Sequence, residues 1–152
     1  MNVRVMITTI AIGGISGLFV GSDTAHAVRV GGHAAQIWGS DAGCASSAYA
    51  TLENTCNDTK TFTIPLMVAS PGGKALSFRA VGATQNNNVG CRGQAMADDN
   101  AGFWATPWTF MNQFGSVQTV DLGMLNVGND GAVYMRCQID NGGKLLSVEW
   151  EQ

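Results

Sequence analysis

The sequence predicts an all-β protein: an antiparallel β-sandwich of six to eight short strands with two disulfides, behind a cleaved signal helix. Three observations predict it. Apolar and polar residues alternate with period two in six separate runs, and clusters rich in Gly, Asn, Asp or Ser separate most of those runs. No long amphipathic helical pattern occurs after the first 27 residues. The four cysteines are an even number, which can all pair in an oxidising compartment.

Residues 1–27 have the layout of a secretory signal peptide. Arg4 supplies the positive start, residues 6–20 are an apolar run, and Ala25-His26-Ala27 is a small-x-small cleavage site. The apolar run is shorter than the roughly 20 residues a spanning helix needs, and no second apolar segment of that length follows, so no membrane span is expected in the mature chain. Residues 28–152 then form a single domain, secreted to the periplasm or the extracellular space. This part keeps 7 Lys+Arg against 10 Asp+Glu. Scattered cations on a mildly acidic chain exclude an electrostatic footprint for nucleic acid.

The elements follow in order. Residues 28–43 are Gly-rich and read as an irregular lead-in with at most one strand. Residues 44–56 fit a short helix or a bulged strand equally well. Phe62, Ile64, Leu66 and Val68 alternate with Thr61, Thr63, Pro65 and Met67, and Pro65 places this strand at a sheet edge or a bulge. Ser70-Pro71-Gly72-Gly73 turns the chain into a run with Leu76, Phe78 and Ala80 on one face, so the two runs read as a hairpin. Val89 and Cys91 share a face in the next strand. Residues 97–115 read as a long connection rich in aromatic rings. Val120, Leu122 and Met124 share a face, as do Val133, Met135, Cys137 and Ile139. Asp140-Asn141-Gly142-Gly143 reads as a tight hairpin turn. Leu146, Val148 and Trp150 alternate in the last strand.

Four cysteines allow three pairings. The preferred set is Cys44–Cys56 and Cys91–Cys137, because Cys91 and Cys137 both lie on apolar strand faces. The spacings of 12, 35 and 46 residues, with His33 the one histidine after the leader, lack the clustering a zinc site needs. No metal and no cofactor is expected. A catalytic Cys is not expected either, since pairing leaves no thiol free.

The signal peptide, Val89-Gly90-Cys91, and Val133-Tyr134-Met135-Arg136-Cys137-Gln138-Ile139 followed by Gly142-Gly143 carry a loose likeness. On these residues the chain resembles small secreted bacterial disulfide-bonded β-sandwich proteins of unknown function. That resemblance implies the fold and the compartment, and it assigns no catalytic or binding residue.

The candidate chemistry lies in the aromatic segment Phe103-Trp104-Ala105-Thr106-Pro107-Trp108-Thr109-Phe110. Trp104 and Trp108 could stack on the apolar face of a sugar, with Asp98, Asp99 and Asn100 as polar partners. The competing expectation is that these rings close one end of the sandwich as core, and the usual burial of large aromatics favours it. Asp98, Asp99 and Asn100 supply only part of the six to eight oxygens that Ca²⁺ takes. A small hydrolase would need a desolvated acid among Asp121, Glu149 and Glu151, and nothing in the sequence suggests one. The expected function is a non-catalytic structural or surface-binding protein whose partner is a cell-surface glycan or protein. Assembly by β-edge addition through residues 62–68 is the alternative, and the sequence leaves the oligomeric state open.

Overall fold

A computed structural model describes residues 27–37, 39–97, 102–129 and 131–152. Among them twelve strands form two six-stranded antiparallel sheets, joined by turns and short 3₁₀ segments. Sheet I has the order β10 (Gln118–Val127), β6 (Gly72–Val81), β12 (Lys144–Glu151), β4 (Thr51–Asn54), β3 (Ala45–Ala48), and β1 (Ala27–Gly31) pairs with β12 beside β4. Sheet II has the order β2 (Gln36–Ile37), β5 (Lys60–Leu66), β11 (Ala132–Ile139), β7 (Val89–Met96), β8 (Phe103–Ala105), and β9 (Thr109–Phe110) also pairs with β7. All but one residue of the signal segment lies outside the described residues. No helix among the described residues is long and apolar enough to cross a membrane.

The six expected strands are the six long ones, β5, β6, β7, β10, β11 and β12. Their alternation builds the core. Phe62 and Ile64 of β5, Val89 and Cys91 of β7, and Met135, Cys137 and Ile139 of β11 are fully buried from sheet II. Phe78 and Ala80 of β6 and Leu145 and Val148 of β12 meet them from sheet I. Each large apolar side chain buried this way contributes about 1.5–3 kcal/mol. Both expected disulfides are present. Cys91–Cys137 joins directly opposed residues of β7 and β11, and Cys44–Cys56 closes the open end of the β3–β4 hairpin.

Several local expectations are corrected. Residues 44–56 are neither helix nor bulged strand but that hairpin, turned by Tyr49 and Ala50 at φ 51° and 66°. Residues 28–43 hold β2 and most of β1 rather than one strand at most. The runs around Phe62 and Leu76 are not a hairpin, because β5 lies in sheet II and β6 in sheet I. The same holds for β11 and β12: the turn at residues 140–143 crosses between the sheets. Gly143 N donates to Asp140 O at 2.9 Å, and Gly142 alone of the turn has a positive φ, +72°. A tight two-residue hairpin of the expected type needs both central residues there.

Met124 leaves the core face expected for it and is 63 % exposed. A β-bulge between Asp121 and Gly123 shifts the register, Gly123 sits at φ +74°, and its N–H donates to Asp121 Oδ1 at 2.7 Å. Leu125 and Val127 take the inward positions instead. A second irregularity between Leu145 and Ser147 likewise puts Leu145, not Leu146, in the core.

One buried polar residue pins the two sheets together. Asn54, at the end of β4, donates through Nδ2 to Ile139 O at 2.7 Å and to Asp58 O at 2.8 Å, and accepts from Cys56 N at 3.0 Å. All of its side-chain polar atoms are therefore satisfied.

Candidate functional site

The outward face of sheet II carries the candidate site. Residues that alternate with the core positions point there: Thr61, Thr63 and Pro65 from β5, Tyr134, Arg136 and Gln138 from β11, and Gly90, Arg92 and Gln94 from β7. With Gln36 of β2 and Asp41, the side chains of β5 and β11 line an open depression of about 760 Å³.

At the β7 edge an aromatic platform borders this face. Thr106, between β8 and β9, is buried and clamps onto Gly93. Its N–H donates to Gly93 O at 3.0 Å, and its Oγ1 accepts from Gly93 N at 2.9 Å. Pro107 follows and Trp108 then projects over Arg92, whose Cζ lies 4.9 Å from the ring centroid. Phe110 stacks against Trp108 with centroids 6.2 Å apart and planes 27° apart. Phe110 can lie on the sheet only because residue 90 is glycine: a Cβ there would stand 2.2 Å from the ring.

Arg92 is held from a second side. The amide of Gln94, only 2 % exposed, is assigned with its oxygen toward the guanidinium, where it accepts from Nη2 at 2.7 Å and from Nε at 3.2 Å. Directly across the ladder from Arg92 stands Arg136. Among the described residues neither arginine pairs with a carboxylate. Lys60, at the rim of the depression, differs: its Nζ donates to Asp41 Oδ1 and to Asp58 Oδ2, both at 2.9 Å. Those two hydrogen bonds raise the Lys60 pKa, Asp41's first, and the bond from Lys60 lowers that of Asp58.

Comparison with known proteins adds the fold and no more. The chain matches no protein-family profile and no curated protein. Among solved structures it is similar to the C-terminal CBM6 of LamC, a marine laminarinase from Zobellia galactanivorans. There the TM-score is 0.53 and the identity 11 %, over 84 % of this chain and 100 % of that one. It is also similar to the carbohydrate-binding module CBM6cm-2 of Cellvibrio mixtus lichenase 5A, solved in complex with cellotriose. That pair has a TM-score of 0.48 and 10 % identity, over 82 % of this chain and 96 % of that one.

The chain shares the β-sandwich fold of a carbohydrate-binding module.

The expected site residues are not all gathered in one place. Trp108 is on the outward platform. Trp104 pairs with Ala95, a core-facing residue of β7, so its ring turns toward sheet I, against Gly102 and Gly128. The two indoles therefore serve opposite faces of one sheet edge. Asp98, Asp99 and Asn100 lie outside the described residues. The expectation that the aromatic segment closes the sandwich as core is corrected: Phe103, Trp104 and Phe110 are 57 %, 37 % and 44 % exposed. The segment also supplies the edge strands β8 and β9 rather than a plain connection, because Thr106 anchors it to β7. Asp121, Glu149 and Glu151 line a smaller depression on the outward face of sheet I, where Glu149 pairs with Arg29 at 2.8 Å. Among the described residues no three metal-ligating side chains cluster.

Sequence reasoning missed Arg92, Gln94, Tyr134 and Arg136. A signal for them was present. Once Cys91 faces Cys137, residues 92 and 136 must also face each other, one position along and on the opposite side of the sheet.

Proposed function

We propose that this chain is a secreted, non-catalytic protein that binds a glycan on the outward face of sheet II. The carrying observation is the Trp108–Phe110 platform, half-buried at Trp108 and exposed at Phe110, beside a depression lined by Gln, Thr, Tyr and Arg side chains. An aromatic ring takes the apolar C–H face of a sugar, while the neighbouring polar groups take its hydroxyls. The sandwich shared with a laminarinase's carbohydrate-binding module supports the reading at the level of fold. Trp104 would extend contacts around the β8 edge, and Asp98, Asp99 and Asn100 are proposed as polar partners of the sugar.

Tryptophan fluorescence titrated with a panel of soluble polysaccharides tests this. At least one glycan changes the emission, and Trp108→Ala weakens its binding by about tenfold or more, the loss of a central aromatic contact. Trp104→Ala has the smaller effect. A panel with no response, or equal binding by Trp108→Ala, overturns the reading.

Export is part of the proposal. Two disulfides call for an oxidising compartment. Cleavage after Ala27 would leave the β1–β12 ladder from Val28 onward intact. N-terminal sequencing of the exported product is expected to begin at Val28, and an intact leader on the functional protein would refute it.

A further inference from the structure

Arg92 and Arg136 are the feature of this face that folding does not account for. Like charges directly opposite on a ladder are destabilising, typically by a few tenths of a kcal/mol to about 1 kcal/mol. Among the described residues no other ladder pair sets like charges opposite each other. Arg29, Lys60 and Lys144 each lie against a carboxylate, Lys74 and Arg79 stand apart from one another, and the protein as a whole carries a net charge of −3. Two half-buried arginines side by side on an acidic protein, neither compensated among the described residues, are a local positive spot rather than part of a basic surface.

The spot is also preorganised. Trp108 covers Arg92, and Gln94 engages its Nε–Nη2 edge, which leaves the Nη1 donors for a ligand. Arginine is the side chain suited to oxyanions, because its planar fork donates two parallel hydrogen bonds to a carboxylate or a sulfate. Resting on the glycan-binding reading above, we infer that the sugar carries an acidic group, a uronate carboxylate or a sulfate ester. That group meets the free Nη1 side of Arg92 and the guanidinium of Arg136 while the adjoining ring stacks on Trp108. Its binding relieves the repulsion between the two guanidinium groups, so charge adds directly to affinity.

The test uses the full exported protein with polygalacturonate, dextran sulfate, and neutral galactan and dextran as their uncharged counterparts. Isothermal titration at low and high NaCl is the readout. An acidic polymer binds at least about tenfold more tightly than its neutral counterpart, and salt narrows the gap. Whether polygalacturonate or dextran sulfate wins identifies the anion as carboxylate or sulfate. Arg136→Gln lowers affinity for the acidic polymer by about tenfold or more and that for its neutral counterpart far less, so the preference is lost. Arg136→Lys keeps the charge but not the fork and retains part of the preference. Arg79→Gln, on the outward face of sheet I, changes neither. Near-UV circular dichroism confirms that each variant keeps its packing. Neutral polymers bound as tightly as acidic ones, with Arg136→Gln silent, overturn the inference and leave the glycan reading standing. No binding by any of the four polymers, with none across the wider panel, overturns both.

Discussion

Gly90 gives the aromatic platform its seat. A methyl group there would stand 2.2 Å from the Phe110 ring, so any side chain must push the ring off the sheet. Gly90→Val keeps a residue suited to strands on an outward-facing position. The prediction is that the protein folds with little loss of stability, while Trp108 loses the Phe110 ring packed against it and glycan binding falls by about tenfold or more. Chemical denaturation and fluorescence titration of the same variant separate the two effects; unchanged binding would show that the stack is not the contact surface. This position also shows where sequence reading stops. The run 89–92 gives Gly90 its outward direction, but nothing in it says that Phe110, twenty residues away, comes to lie on top. Asn54 is a like case. As a β4 residue it reads as polar, and only the meeting of β4 with the end of β11 makes it a buried pin between sheets.

At the scale of elements, alternation was legible wherever a strand runs straight, and it failed at the bulges. Phe62, Ile64 and Leu66 point inward as the period of two requires. Met124 does not, because one extra residue at the Asp121–Gly123 bulge reverses every side chain after it. Turn chemistry has a similar limit. Gly and Asn announce that the chain reverses, but whether it returns to the same sheet or crosses to the other depends on which core faces must meet. The β3–β4 hairpin is short, four residues a side, with Ser46, Ser47 and Ala48 exposed. Its disulfide closes a 12-residue separation, for which loop-closure entropy gives about 3 kcal/mol. Cys44→Ser with Cys56→Ser should therefore lower the unfolding free energy by about that amount in urea titration. The long strands sit elsewhere in the sheets, so the β circular-dichroism signature should survive below the shifted midpoint. A double variant as stable as the parent would mean that the β3–β4 loop is already restrained in the unfolded chain.

For the whole molecule, the question is whether the open sheet edges join one copy to another. Each sheet ends on strands with unpaired N–H and C=O groups, which is the usual route to edge addition. The edge at residues 62–68 is blunted twice. β2 covers it opposite Phe62 and Thr63, and Pro65 has no N–H to offer. The far edge of sheet II is capped by the short β8 and β9, interrupted at Thr106. The longest free edge is β10 in sheet I, ten residues, and the bulge at Asp121–Gly123 bends it midway, with a carboxylate turned back on its own backbone. A partner strand would find no straight ladder longer than about half of β10. The molecule should therefore elute as a monomer across a wide concentration range in size-exclusion chromatography with light scattering. A dimer that grows with concentration and disappears on Met124→Lys would instead assign β10 to assembly, and would turn the flank of sheet I, rather than the Trp108 face, into the principal contact surface.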